Sequence, residues 1–210
     1  MSLKNVEKLP NDKKEAILSV GIKEFGVNTY KDVTTDSITH KCGISKGLLF
    51  HYFSTKKEFY LYCLEKSMDR LTEETNAVSG NNFYDLLFSE INSKVSLCVK
   101  YKNEMLMVNM ASRDNSAEIA DAKKAIIARY TYAVKAHSVQ TIAAAVSTLN
   151  LKNNYKQQTV IDGLYIYING VLNRYLAKYQ TCPEKFFNSI DEIKNEMKEY
   201  LDMMLYGICQ

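Results

Sequence analysis

Thr34 to Lys57 reads TTDSITHKCGISKGLLFHYFSTKK, and its punctuation predicts two short helices joined by a tight turn, followed by the start of a third. Thr34 and Thr35 are N-cap residue types ahead of Asp36, Ser37 and Ile38, and an acid in the first turn suits the positive end of a helix dipole. Gly43 follows Cys42 and accepts positive φ, which closes that helix. Ser45 offers a second cap after Ile44; from there Leu49 and Phe53 stand four residues apart, on one face of the next helix. A turn of about three residues forces the two helices to cross steeply, as in a helix-turn-helix.

The outward face of the same stretch carries Lys41, Lys46, Lys56, Lys57 and His51, with no acid between Lys41 and Lys57. A solvated basic helix explains an isolated lysine cluster. On a capped helix-turn-helix, a polyanion is the simpler partner. Lys46 and Phe50, at i and i+4, share a side, Gly47 leaves room for a close backbone approach, and the hydroxyls of Ser45, Tyr52 and Thr55 suit phosphate oxygens.

The run Thr34-x-x-x-Ile38, Cys42-Gly43-Ile44-Ser45-Lys46-Gly47 and Leu49-Phe50-His51-Tyr52-Phe53-Ser54-x-Lys56-Lys57-Glu58 resembles the DNA-binding domain of TetR-family transcriptional regulators. The motif covers about a quarter of the chain; the remainder is similar to the family only in size and helical character. The resemblance implies an all-α protein: an N-terminal three-helix helix-turn-helix (homeodomain-like) DNA-binding domain over 1–55, and a larger helical effector-binding and dimerisation domain over 56–210. It further implies a bacterial, non-enzymatic regulator, most often a repressor, that binds a palindromic operator as a homodimer. Carried over position by position, the DNA-contacting residues are Thr35, Lys46, Gly47, Leu48, Phe50, His51, Tyr52 and Lys56. Lys46 is the candidate for a guanine O6 or N7 edge, with Thr35, Tyr52 and Lys56 as phosphate anchors. Leu48 and Phe50 stand where a threonine and a tyrosine are frequent, and Asp36 where a base is frequent; that acid weakens phosphate binding unless it reads a cytosine amine. Thr29 replaces a usual glycine, and Asn28 is expected to take the left-handed conformation instead.

Composition supports this reading. Residues 1–60 hold ten lysines against seven acids, whereas residues 61–210 hold 17 basic and 17 acidic residues, so the net charge of +3 sits entirely in the N-terminal part. Two prolines and eight glycines among 210 residues, with no long Val/Ile/Thr alternation, predict helix rather than sheet. The five cysteines (Cys42, Cys63, Cys98, Cys182, Cys209) form no CxxC pair and read as reduced, mostly buried residues of a cytoplasmic protein. His40, His51 and His137 supply no zinc spacing, and nothing resembles a nucleophile elbow, a phosphate loop or a HExxH helix. No catalytic residue, metal or cofactor is expected. MSLKNVEKLPNDKKEA has no apolar core of signal-peptide length, and no run reaches the 18 or so apolar residues of a membrane span.

Along the chain, Asn11 or Asp12 is expected to cap a first helix ending near Gly26, whose Ile17, Val20 or Gly21, and Phe25 join Ile38, Leu49 and Phe53 in a small core. A long amphipathic helix follows from Lys56, then a loop at Asn76–Asn82. Further helices are predicted near 83–101, 103–112, 116–149, 154–179 and 184–207. The last two carry apolar stripes, Ile161 to Tyr179 and Phe186 to Ile208, that suit either intrachain packing or a four-helix interface of a two-fold dimer; Gly163 and Gly170, seven apart, suit close helix approach. Phe88, Tyr101, Met105, Met107, Met110, Tyr130, His137, Tyr165 and Asn169 are the types that line an adaptable cavity, and the aromatic richness suggests a small apolar or aromatic effector. Two rival readings are a dimer of the same fold controlled by a protein partner or by no effector, and an enzyme or binding module with a vestigial helix-turn-helix.

Overall fold

Local signals decide the first helices. In the computed structural model, which describes residues 10–73, 79–179 and 182–209, α1 runs Asn11–Val27, α2 Thr35–Cys42 and α3 Lys46–Tyr52. The Thr34 hydroxyl accepts from Ser37 N–H at 3.1 Å, and Ser45 Oγ from Leu48 N–H at 3.1 Å. Each cap satisfies an otherwise orphaned donor, a contribution of about 1 kcal/mol. Gly43 ends α2 at φ 65°, and its N–H reaches His40 and Thr39 carbonyls. Two expectations fail here. Position 10, a proline with no side-chain cap, precedes α1, so neither Asn11 nor Asp12 caps it. Asn28 is extended, at φ −129°, because its N–H and its amide both donate to Glu24 O and hold the chain without a left-handed turn.

The long helix α4, Lys56–Glu73, starts where the sequence places it. Thr55 Oγ1 accepts from Glu58 N–H at 3.1 Å and Glu58 replies to Ser54 N–H at 2.9 Å, a reciprocal cap close to the capping box. Then come α5 Phe83–Lys100, α6 Lys102–Arg113, α7 Ala120–Ser147, α8 Gln157–Lys178, α9 Pro183–Asn188 and α10 Ile190–Ile208. The predicted helix at 184–207 is two: Ser189 leaves helical geometry at ψ 11°, and its N–H turns back to Lys185 and Phe186 carbonyls. Part of the Asn76–Asn82 loop lies outside the described residues, as do Gln180 and Thr181; Asn82 itself caps α5 by accepting from Asp85 N–H at 2.9 Å. Among the described residues no strand forms, only an isolated bridge between Leu151 and Cys209.

The helices gather into two compact units that do not follow chain order. The first comprises α1 to α4, α6 and α7 as far as Tyr132; the second comprises α5 to Val99, α7 from Ala133, and α8 to α10. In the first, the predicted residues Ile17, Phe25, Ile38, Leu49 and Phe53 do meet, but the core they join is larger: Phe59, Tyr60, Cys63 and Leu64 of α4, Met107 and Ala111 of α6, and Ile119 and Ile126 are buried with them. The rings of Phe25 and Tyr60 meet edge-on at 4.9 Å. Close crossings need glycine at two points of α1. A Cβ at Gly21 would stand 2.4 Å from Phe59 Cζ, and one at Gly26 would stand 3.2 Å from the Met107 backbone nitrogen. Arg70 of α4 pairs with Glu15 of α1 and with Glu104 of α6, the latter at 2.6 Å.

A polar clasp completes this unit. Asp114, only 4% exposed, accepts from Tyr30 N–H at 2.5 Å and Ser116 N–H at 2.9 Å, while Tyr30 Oη donates to Glu118 at 2.6 Å. Burial works against the Asp114 carboxylate, yet the hydrogen bonds from Ser116 and Tyr30 outweigh it and hold its pKa below the usual aspartate value. The connection between α1 and α2 is therefore fastened to residues more than 80 positions later.

In the second unit, α5, α7, α8 and α10 bury Leu87, Ile142, Leu164, Ile168, Ile193, Met197 and Leu201. The predicted stripes of α8 and α10 pack mainly inside this core. Other residues of the same helices stay outside: Ile166, Leu176, Tyr200, Met203 and Tyr206 are exposed. Gly163 and Gly170 lie on that outer face, and a Cβ at either would meet nothing within 4 Å.

Candidate nucleic-acid interface

Helix α3 presents two unlike faces. Leu49 and the following Phe53 turn inward and are 1% and 2% exposed. Lys46, Gly47, Phe50 and His51 turn to solvent, with Leu48 and Tyr52 half-covered beside them. The caps at both ends of the turn leave α3 little freedom, so its outer side chains stand on a fixed platform. A Cβ on Gly47 would meet nothing nearer than Ser45 Oγ at 3.9 Å; the chain's own packing therefore gives no reason for a glycine there.

The lysines are less free than the sequence suggests, because acids outside the Lys41–Lys57 run reach them. Lys46 Nζ pairs with both oxygens of Asp36, at 2.9 and 3.0 Å. Lys41 Nζ pairs with Glu24 at 2.6 Å. Lys56 lies with its ammonium 4.4 Å from the centre of the Tyr30 ring; burial pulls its pKa below the usual lysine value, against the opposing pull of Glu118, Asp32 and Asp114. Both partners of the Lys46–Asp36 pair are largely exposed, so its net strength is small and a stronger partner can displace it. Thr35 sits half-buried at the start of α2. The eight predicted contact residues thus fall at the start of α2, along α3 and at the start of α4.

The nine cavity candidates do not collect in one place. Tyr101, Met105, Met107, Met110 and Tyr130 belong to the first unit, where Met107 is wholly buried in the core and Tyr130 donates to Asp69. Phe88 and Tyr165 pack at the edge of the second core, Phe88 stacked on Tyr84 at 5.6 Å, and His137 is half-exposed. Of the nine, Asn169 lines a cavity: a space of about 210 Å³ in the second unit, walled chiefly by Leu87, Ile91, Val95, Ile142, Ile168 and Leu172. Its polar wall, Glu90, Lys94 and Ser138, was not foreseen, because Glu90 reads in sequence as one charge on an amphipathic helix.

Among the described residues no three His, Cys, Asp or Glu side chains gather as metal ligands, and no helix is long and apolar enough to cross a membrane. Cys63 is buried and the other four cysteines are half-buried; burial pushes the thiols of Cys42, Cys63 and Cys98 up.

Comparison with known proteins places the first unit. The family model of bacterial regulatory proteins, tetR family, matches residues 17–63, a stretch from the middle of α1 into α4. The HTH-type transcriptional regulator YerO of Bacillus subtilis is 27% identical over 88 residues, 40% of this chain and 30% of that protein. The HTH-type transcriptional activator FasR of Mycolicibacterium smegmatis is 34% identical over 65 residues, 30% of each chain. The matched stretch therefore spans about a third of the length of these curated relatives. A solved TetR family transcriptional regulator from Chloroflexus aurantiacus superposes with a TM-score of 0.60 at 18% identity, covering 99% of this chain and 98% of that one, which extends the likeness of fold to both units. A capped helix-turn-helix that fits the family model over residues 17–63, within an all-α chain whose fold is similar to that of a solved TetR family regulator, makes this chain similar to the tetR family of bacterial regulatory proteins.

Proposed function

We propose that this protein is a DNA-binding transcriptional regulator, most simply a ligand-responsive repressor, that grips a palindromic operator as a homodimer. The observation that carries the reading is the two-faced helix α3: anchored by Leu49 and Phe53 and capped by the Ser45 side chain, it offers Lys46, Gly47, Phe50 and His51 outward. Lys46 donates to a guanine edge, Leu48 and Phe50 give apolar contact, and Thr35, Tyr52, His51 and Lys56 hold phosphates. Residues 1–55 read the duplex; residues 56–210 carry dimerisation and the effector. Support for the dimer comes from the outer faces of α8 and α10, where Gly163, Ile166 and Gly170, and Tyr200, Met203 and Tyr206, recur at helical spacing and lie open. Two copies covering these faces make a four-helix, two-fold interface. Effector occupancy of the second unit then favours one separation of the paired α3 helices, and only one separation fits major grooves about 34 Å apart. A dimer answering to a protein partner, or to nothing, leaves the cavity without a use.

Selection of duplexes from a randomised pool by the full chain, followed by gel shifts on the recovered and scrambled sequences, tests this. A recovered palindrome with half-sites about 10 base pairs apart is expected. Lys46→Ala should lose about 1–3 kcal/mol and relax one position per half-site, whereas Lys56→Ala should weaken all duplexes alike. Equal losses for both variants on both duplexes would overturn the assignment, and salt-insensitive or absent binding would overturn the function.

A further inference from the structure

The cavity of the second unit carries a charge deep in its wall. Glu90, 5% exposed, projects from α5 among Leu87, Ile91 and Ile142, where an uncompensated carboxylate would be costly. Its compensation is gathered at one carboxylate oxygen: Oε1 pairs with Lys94 Nζ and accepts from Ser138 Oγ at 3.1 Å. Lys94 also donates to Ser138 at 2.8 Å. The two charges differ in mobility. The Glu90 side chain is 7% exposed and short, whereas that of Lys94 is 37% exposed, on a flexible four-carbon stem that can carry its ammonium out to water. The fixed charge of the cavity is thus negative and the movable one positive.

We propose that the cavity binds a lipophilic organic cation, an aromatic or aliphatic body bearing one protonated amine, whose ammonium replaces Lys94 as the partner of Glu90. The inference rests on the effector reading above and names the effector's chemical class. The remaining polar groups agree with it. Asn169 gives one amide N–H to Tyr165 O at 2.8 Å, which fixes the amide and leaves its carbonyl oxygen to accept beside the Glu90 carboxylate. The site offers acceptors to a ligand rich in donors. An anionic ligand would have to reach Lys94 beside a buried carboxylate and meet like-charge repulsion. A neutral apolar ligand would gain only the hydrophobic contact. The space, about 210 Å³, exceeds the roughly 150 Å³ apolar cavity that admits benzene, so a phenyl ring with a short chain is of the right size.

Three probes of one shape and different charge decide the matter by titration calorimetry on the full-length protein: 4-phenylbutylamine, 4-phenylbutanol and 4-phenylbutyrate. The amine should bind about tenfold or more tighter than the other two, from the charge-assisted bond. Glu90→Gln, which keeps the shape, should bring the amine down to the level of the alcohol. Lys94→Met should strengthen amine binding by removing its competitor; circular dichroism of this variant checks that it is folded, and the probe ranking on the unaltered protein stands without it. Butyrate binding tightest, or a Glu90→Gln protein that keeps the amine preference, overturns the cation assignment and leaves a small-molecule effector in place. No binding of any probe to a protein that still shifts its selected duplex overturns both the cation and the cavity's role as an effector site, while DNA binding survives.

Discussion

The two units solve the burial problem differently. In the first, aromatic rings fill the interior: Phe25, Phe59 and Tyr60 are 1% exposed or less, and Gly21 and Gly26 let helices approach until no added methyl fits without movement. In the second, a cavity sits beside the core and large apolar side chains such as Ile166, Met203 and Tyr206 face solvent. A filled unit holds α3 at fixed geometry. A unit with a cavity inside and an apolar outer face has room for partners to complete it. The contrast predicts that single substitutions act on stability in the first and on binding and association in the second.

The largest effect should come from Phe25→Ala, which empties the centre of the ring cluster and should lower stability by about 3–5 kcal/mol in urea unfolding; a loss under about 1 kcal/mol would show that the first unit is not close-packed. Asp114→Ala should follow, at about 1–3 kcal/mol, because the buried Tyr30 and Ser116 N–H groups lose their acceptor. The same clasp has a pH signature. A carboxylate whose folded pKa lies below its unfolded value of about 3.9 stabilises fully above that value and loses this contribution as pH falls through the lower, folded pKa. Acid titration of stability should therefore differ between wild type and Asp114→Asn below about pH 4 and run parallel above it.

Smaller effects sharpen the contrast. Ile166→Asp with Met203→Asp should leave the fold intact and turn a dimer into a monomer in analytical ultracentrifugation; an unchanged dimer would move the interface elsewhere. Gly47→Ala and Gly163→Ala should each stabilise their helix by up to about 1 kcal/mol, since neither methyl meets a neighbour. Gly47→Ala should nevertheless weaken operator binding, because its cost falls on the partner and not on the fold. Equal operator affinity would mean that no backbone of the duplex comes close at that point.

Much of the first unit was legible in sequence because its signals are local. Thr34, Gly43 and Ser45 act on donors and carbonyls within four residues, so residue type and position suffice. The acids that temper the basic face were harder to read. Asp36 stands ten residues from Lys46, and Glu24 seventeen from Lys41; spacing on one helix says nothing of pairs formed between helices. The methionines of 105–110 are hard to assign from sequence for a physical reason: an adaptable side chain fills an irregular core as readily as it lines a cavity, and Met107 is wholly buried in the core of the first unit. The cavity of the second unit draws on α5, α7, α8, α9 and α10 at once, a constellation no single periodicity encodes. Ser189, an unremarkable residue in sequence, breaks the last helix by its backbone geometry alone.

The clasp on Tyr30 bears on how such a protein can be re-engineered. A helix-turn-helix severed after α3 would leave behind the carboxylates that fasten its first loop and the methionine and rings that complete its interior. It is no portable cassette: grafted onto another protein it would need α4, α6 and the opening of α7 as well, and chimaeras joined inside that framework should misfold even when every outward side chain of α3 is retained.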